Sequence, residues 1–335
     1  MPSYDRRYIF RFISQLLHPS AAVDDSYFPA PQIFWDRLVH LGSNQLVLPA
    51  IYQGLKRKKL ESYAPKDLVY YLREIKDLNQ NRNYDILKQI NFLSDIFKRN
   101  QIDYVFLKGA AMLIKKPYDS INERMVGDID ILVSEKQVFR AQQLLLNEGF
   151  EAELSNEFSF TKGVFSDYHS KHLKRISHPS YIAAVEIHRR LLIKENNLIP
   201  PTDVLENKVQ CKFGQWIPSK QHLWQHAILN WQYNDNGINQ NFLAFRTILD
   251  VLYLEPKDLK LKLAPKAIKE FYSLLSLYYV GYKTYYPLKK LLYKWKLKSI
   301  IFENLYTFFI NLNYLVSFGF SRIFLLLSSK TYRKR

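Results

Sequence analysis

Over most of the chain apolar residues recur every three or four positions, and only in the middle third do they switch to unbroken or alternating runs. Residues 1–80 keep the helical spacing and carry no chemical motif. Asp85–Asn100 puts Ile86, Ile90, Leu93 and Phe97 on one helical face. The rhythm then changes. Tyr104–Leu107 is a short aromatic and β-branched run, which predicts a buried strand. Gly109–Lys116 predicts a helix ended by Pro117. Gly127–Val133 reads as a second strand. Glu135–Glu148 reads as a helix with Gly149 at its C-terminal cap. Shorter strand-like runs follow at Glu157–Thr161, Tyr168–Ser177 and Tyr181–Arg189. The order α-β-α-β-α-β-β-β predicts an α/β or α+β domain over 81–195.

Pro200, Pro201 and Pro218 mark a return to helical spacing. Helices are expected at Lys220–Tyr233, Asn241–Leu254, Lys266–Gly281, Pro287–Lys298 and Phe302–Leu327, with a disordered tail at Lys330–Arg335. No internal repeat or low-complexity tract interrupts them. The expected organisation is an N-terminal helical region (1–80), an α+β core built on a mixed sheet (81–195) and a C-terminal helical region (196–335).

Composition adjusts this picture in three places. The single cysteine, Cys211, excludes an internal disulfide and fits a reducing cytoplasm. Asp5, Arg6 and Arg7 precede an apolar stretch too short for a secretory leader. The net charge of +17 is unevenly placed: from Lys257 to Arg335 there are 16 Lys/Arg and 3 Asp/Glu, which suits an anionic partner such as nucleic acid, anionic lipid or an acidic polymer. Asn304–Ser321 carries no charge but holds Asn304, Asn311 and Asn313, so it reads as a buried or interfacial helix rather than a membrane span. The expected location is the cytoplasm, with peripheral contact at the inner face of an anionic membrane.

The chemistry concentrates in two segments. Asp128 and Asp130 stand two residues apart, so on a strand they share a face while Ile129 and Ile131 point to the core. Neighbouring carboxylates repel unless a cation lies between them, and an oxygen-rich pair suits Mg²⁺, which also takes phosphate oxygens. Lys108 and Gly109 lie at a strand-to-helix turn, where free N–H groups, the dipole and a lysine charge make an anion site and glycine permits close approach. In Val185–Arg189, Glu186 and His188 share a face. Glu186 is placed to complete a metal cage or act as a base, and His188 to orient a phosphate or an acceptor hydroxyl. Arg124 is placed to bind phosphate or brace a carboxylate. His169, His172 and His178 lack cysteine partners, and His169 and His172 fall on opposite strand faces, so a zinc cluster is not expected. Arg246 and Asp250, at i and i+4, are spaced to pair with each other. Cys211 has no histidine near it in sequence to make it a nucleophile.

Together these residues resemble the DNA polymerase β-type nucleotidyltransferase superfamily. More narrowly they are similar to a bacterial family of uncharacterised nucleotidyltransferases, in which a Leu-Lys-Gly segment precedes an Arg…Asp-x-Asp strand and a later acidic-x-His strand. The matching residues are Leu107, Lys108 and Gly109, then Arg124, Asp128 and Asp130, then Glu186 and His188. The Leu223–His226 and Arg246–Asp250 helices also fit, and the resemblance runs from about residue 35 to 255. In the wider superfamily the phosphate turn is Gly-Ser; Gly109-Ala110 lacks that hydroxyl, and Lys108 stands in front of it. The resemblance implies an NTP substrate such as ATP and a Mg²⁺ (or Mn²⁺) cofactor. Asp128, Asp130 and Glu186 would be catalytic and metal-binding, and Lys108, Gly109, Arg124 and His188 would bind nucleotide. Narrow-family members look like accessory proteins of cell-surface polysaccharide synthesis, whereas toxin-type relatives that act on tRNA use a similar Lys-Gly turn. The acceptor implied is therefore a sugar, a glycan precursor or RNA. A catalytically silent membrane-surface protein is the reading outside enzymology.

Overall fold

The computed structural model describes residues 6–152, 172–193, 196–237, 243–256, 258–279 and 281–298, together with Leu305, Phe308 and Leu312. The expected strand Glu157–Thr161, the first part of Tyr168–Ser177, His169, the tail, and nearly all of Phe302–Leu327 and Asn304–Ser321 lie outside the described residues.

Three helices open the chain: α1 (Arg6–Leu17), α2 (Gln32–Asn44) and α3 (Leu48–Arg57). The apolar face of α1, with Ile9, Phe12, Ile13 and Leu16 fully buried, packs on both others. The next helix, α4 (Lys66–Arg99), is a single rod of 34 residues that runs straight through position 80. Its apolar positions Ile86, Ile90, Leu93 and Phe97 are buried, as their spacing predicts. Leu68, Leu72 and Ile96 are buried as well, and four further buried positions, Asn79, Asn83, Gln89 and Ser94, are polar.

A five-stranded mixed sheet follows. Its strands are β1 (Tyr104–Phe106), β2 (Ile129–Val133), β3 (Glu151–Ala152), β4 (Ile176–Ser177) and β5 (Val185–His188), in the spatial order β1-β2-β5-β4-β3. The central β2–β5 pair is parallel and the other pairs are antiparallel. All residues of β1 and β2 are buried, which is why they read as unbroken apolar runs. Between them lies α5 (Lys108–Lys115), closed by Lys116 in the left-handed conformation just before Pro117. After β2, α6 (Val138–Asn147) ends at Gly149, whose φ of +92° suits glycine at that cap.

The C-terminal part is helical. It contains α7 (Pro201–Glu206), a two-stranded ribbon (Val209–Gln210 with Trp216–Ile217) and α8 (Lys220–Leu229), which runs into a π turn at Asn230–Asn234. Then come α9 (Phe245–Leu254), α10 (Lys266–Leu275) and α11 (Pro287–Lys298). Among the described residues no helix is long and apolar enough to cross a membrane.

Candidate active site

Parallel pairing of β2 with β5 sets the register Asp130 opposite Glu186 and Leu132 opposite His188. Two acidic residues from separate parts of the sequence therefore meet on adjacent strands. His188 Nε2 lies 2.8 Å from Asp130 Oδ1 and 3.4 Å from Glu186 Oε2. A carboxylate only accepts, so Nε2 carries the proton. The other ring nitrogen, Nδ1, is buried and finds no hydrogen-bond partner among the described residues. Asp130, Glu186 and His188 each offer a ligand atom within 4.8 Å of the others. Two carboxylates and an imidazole, once Nε2 gives up that proton, make a donor set suited to a divalent cation.

Lys108 enters from the other side. Its Nζ is 2.5 Å from Asp130 Oδ1, the oxygen that also accepts from His188. The backbone at Lys108 has φ +46°, a left-handed conformation that costs a non-glycine residue roughly 1–3 kcal/mol and recurs at functional sites. Lys108 is also the first residue of α5, so its charge lies beside the free N–H groups of that helix.

The electrostatics follow from this crowding. Burial alone would raise the Asp130 carboxyl, but the Lys108 charge and the His188 hydrogen bond hold it well below the usual range. Burial works against the Lys108 ammonium too, and Asp130, with Glu186 and Asp128 behind it, overcomes this and raises it. Burial pushes Glu186 up, while the His188 hydrogen bond and the His172 charge bring it down. Asp128 sits one residue ahead of β2, half-buried, and is raised by burial and by repulsion from Asp130 and Glu186. It stays outside the 4.8 Å group, though its field reaches that group's members.

Two expected nucleotide contacts, Arg124 and Gly109, have these surroundings. Arg124 is buried, with Nε and Nη2 donating to the Asp250 carboxylate at 2.7 and 3.0 Å and Nη1 donating to the Met125 carbonyl. Of its two expected roles, the one seen is bracing a carboxylate. Tyr118 completes that buried clasp, donating to Asp250 at 2.5 Å. Asp250 is thus shared with Arg124 and Tyr118 rather than paired with Arg246, and Arg246 makes no hydrogen bond or ion pair among the described residues. At Gly109 an added Cβ would stand 3.0 Å from both methyl groups of Val126, so glycine lets α5 pack tightly against the segment that leads to Asp128.

Some site residues escape sequence reasoning. His172 forms an isolated bridge to His188, and its Nε2 lies 3.7 Å from Glu186 Oε2. Its Nδ1 is 2.8 Å from the Leu173 carbonyl and donates to it, which turns Nε2 toward the Glu186 carboxylate. On α4, Asn79 Nδ2 donates to the carbonyls of Asn122 and Arg124, Asn83 Nδ2 to those of Ile121 and Arg124, and Arg82 to those of Val126 and Gly127. Gln89 exchanges two hydrogen bonds with the backbone of Ala183, just ahead of β5. One helix thereby satisfies the irregular backbone that delivers both acidic strands. The cluster Asn79, Gln80, Asn81, Arg82 and Asn83 was the available signal; in sequence it resembles a solvated face.

Compared with known proteins, residues 31–252 match the family described as uncharacterised nucleotidyltransferase. No curated protein and no solved structure gives a significant match.

Proposed function

The chain belongs to the uncharacterised nucleotidyltransferase family, and from that premise we propose that it moves a nucleoside monophosphate from an NTP to an acceptor hydroxyl with Mg²⁺ or Mn²⁺ at Asp128, Asp130 and Glu186. The observation that carries this reading is the register of Asp130 opposite Glu186, with His188 and Lys108 sharing one Asp130 oxygen. A bound divalent cation would neutralise triphosphate oxygens and the charge that develops in the transition state. The chain's own groups do the rest. Lys108 and the first N–H groups of α5 hold phosphate as a fixed cationic corner. His188 donates to Asp130 and fixes the orientation of that carboxylate. Arg246, on which the Asp250, Asp235 and Asp128 charges act, supplies a second cation near Asp128. The acceptor oxygen bonds to the α-phosphorus, the bond to the β-phosphate breaks, pyrophosphate leaves with the electron pair, and the hydroxyl proton passes to Glu186.

The test is calorimetry of Mg²⁺–NTP binding together with transfer from labelled NTPs. Wild type is expected to bind and to label an acceptor, and Asp130→Asn to lose transfer. Equal Mg²⁺–NTP affinity in wild type and in the Asp128→Asn/Asp130→Asn double variant would overturn the site.

For the acceptor, the family resemblance admits a sugar or glycan-precursor hydroxyl, the first reading, without choosing it over RNA. The net charge of +17 favours a second reading, an RNA end. Transfer to RNA requires affinity that falls steeply between low and moderate salt. Undetectable or salt-independent tRNA binding leaves the carbohydrate acceptor.

A further inference from the structure

Residues 116–128, between α5 and β2, form no helix or strand, yet they carry the chain to Asp128. Two sides of this loop are held differently. On one side α4 donates to backbone carbonyls, including that of Arg124. On the other, the side chains of Tyr118 and Arg124 converge on a single carboxylate of α9. Asp250 Oδ1 accepts from the Tyr118 hydroxyl and from Arg124 Nε, and Oδ2 accepts from Arg124 Nη2. All three residues are buried. One acid thus ties two points of the loop to a helix 126 positions beyond Arg124.

The chemistry of the clasp argues for geometry over stability. A buried ion pair gains little over apolar packing of the same volume, because both charges lose water. A guanidinium fork on a carboxylate does fix distance and direction, which apolar contacts do not. Arg124 is gripped at both ends, by its fork on Asp250 and by its carbonyl under Asn79 and Asn83, four residues before Asp128. Asp128 is the one expected metal ligand outside the group that Asp130, Glu186 and His188 form within 4.8 Å. What it contributes to that group depends on where the loop places it. The same helix carries Arg246 one turn before Asp250, within the fields of Arg124, Asp250 and Asp128.

We propose that Asp250 is a positioning residue for the divalent-cation site: through the Arg124 fork and the Tyr118 hydroxyl it sets the place of Asp128 beside Asp130 and Glu186. The proposal rests on the nucleotidyl-transfer reading, because it assigns Asp250 to the cation site of that reaction.

The experiment is titration of the full chain with Mn²⁺ alone, free Mn²⁺ being read by electron paramagnetic resonance, which needs neither nucleotide nor acceptor. Arg124→Lys, which keeps the charge and loses the fork, and Asp250→Asn are each expected to weaken Mn²⁺ binding about tenfold or more. Tyr118→Phe, which removes one hydroxyl and keeps the ion pair, should weaken it by a smaller factor. Where Asp250→Asn fails to fold, the other two variants carry the test. Leu38→Ala, a core truncation on α2, should lower the melting temperature and still bind Mn²⁺ like wild type. With Asp128→Asn already present, Arg124→Lys should cause no further loss of affinity. Clasp variants that melt earlier yet bind Mn²⁺ like wild type would reduce the clasp to a structural brace and overturn the proposal, and so would losses that add to that of Asp128→Asn. A wild type that binds no Mn²⁺ would overturn it together with the transfer reading, whereas a binding wild type with unaffected variants overturns it alone.

Discussion

Lys108 Nζ approaches Asp130 Oδ1 to 2.5 Å, on the same oxygen that accepts from His188. The cation that a nucleotidyl-transfer site would present to phosphate is therefore already seated on a carboxylate that would hold the metal. Breaking a largely buried pair from one side leaves an uncompensated charge, at a cost of about 3–5 kcal/mol. Lys108→Met is expected to destabilise by an amount of that order, and Asp130→Asn by less, because the ammonium can turn toward solvent. The Lys108→Met/Asp130→Asn protein should be closer to wild type than the sum of the two losses predicts, by about 1–3 kcal/mol. Urea denaturation of the four proteins measures this coupling, and strict additivity would show that the pair is incidental.

His172 predicts which metal the site prefers. With His188 in one group with Asp130 and Glu186, and His172 Nε2 3.7 Å from Glu186, the site offers nitrogen as well as oxygen. Imidazole favours Mn²⁺ over Mg²⁺. Mn²⁺ is expected to bind more tightly than Mg²⁺, and pulsed electron paramagnetic resonance of the Mn²⁺-loaded protein should show nitrogen coupling that weakens in His172→Gln. A spectrum of an all-oxygen site, unchanged by the substitution, would reject this.

The shelf on α4 makes a prediction about stability. Asn83 Nδ2 serves two carbonyls, those of Ile121 and Arg124, and is fully buried. Asn83→Ala leaves both without that donor and should cost about 1–3 kcal/mol. Asn83→Asp should cost more, because it places a carboxylate against two carbonyl oxygens. Thermal denaturation gives the order directly: wild type above alanine, alanine above aspartate.

A pH effect arises away from the active site. Burial raises the Glu123 carboxyl to about 7, against the Arg57 charge at 3.7 Å, which lowers it. A carboxyl raised in the folded state keeps its proton there longer than in the unfolded chain. It therefore costs nothing below its unfolded value near 4.5 and costs progressively more as pH rises through 7. Glu123→Gln should match wild type in stability at pH 4 and exceed it by up to about 3 kcal/mol at pH 8, as chemical denaturation across that range will show. A constant difference over the range would remove Glu123 as the cause.

Much of the site was legible because its signals are local. An Asp-x-Asp run whose second carboxylate lies on β2, a lysine-glycine turn and an acid-x-histidine strand each fit within a few residues, and the sheet joins Asp130 to Glu186 through one parallel pairing. What escaped depends on contacts far apart in sequence. The partner of Arg124 is Asp250, 126 positions away, and sequence spacing had favoured Arg246 for that carboxylate. His172 gains its meaning only from the bridge to His188. Asn79 and Asn83 were invisible because polar residues on a helix ordinarily face water, and here they face the bare carbonyls of a loop. The binary pattern located the helices, including Pro287–Lys298, but cannot distinguish a polar residue that meets solvent from one that meets backbone.

The long helix α4 also acts as a gauge. Asn83 holds the approach to the first acidic strand and Gln89 the approach to the second, six residues further along the same rod, a separation of about 9 Å. The two carboxylate strands are thus indexed to one helical screw as well as to each other. An extra residue inserted between Asn83 and Gln89 would turn everything beyond it by about 100° and advance it by about 1.5 Å, so that the two approaches could no longer be held together. Change in this family should therefore collect in the loops that hang from the helix, while the length of the helix between these two residues stays constant.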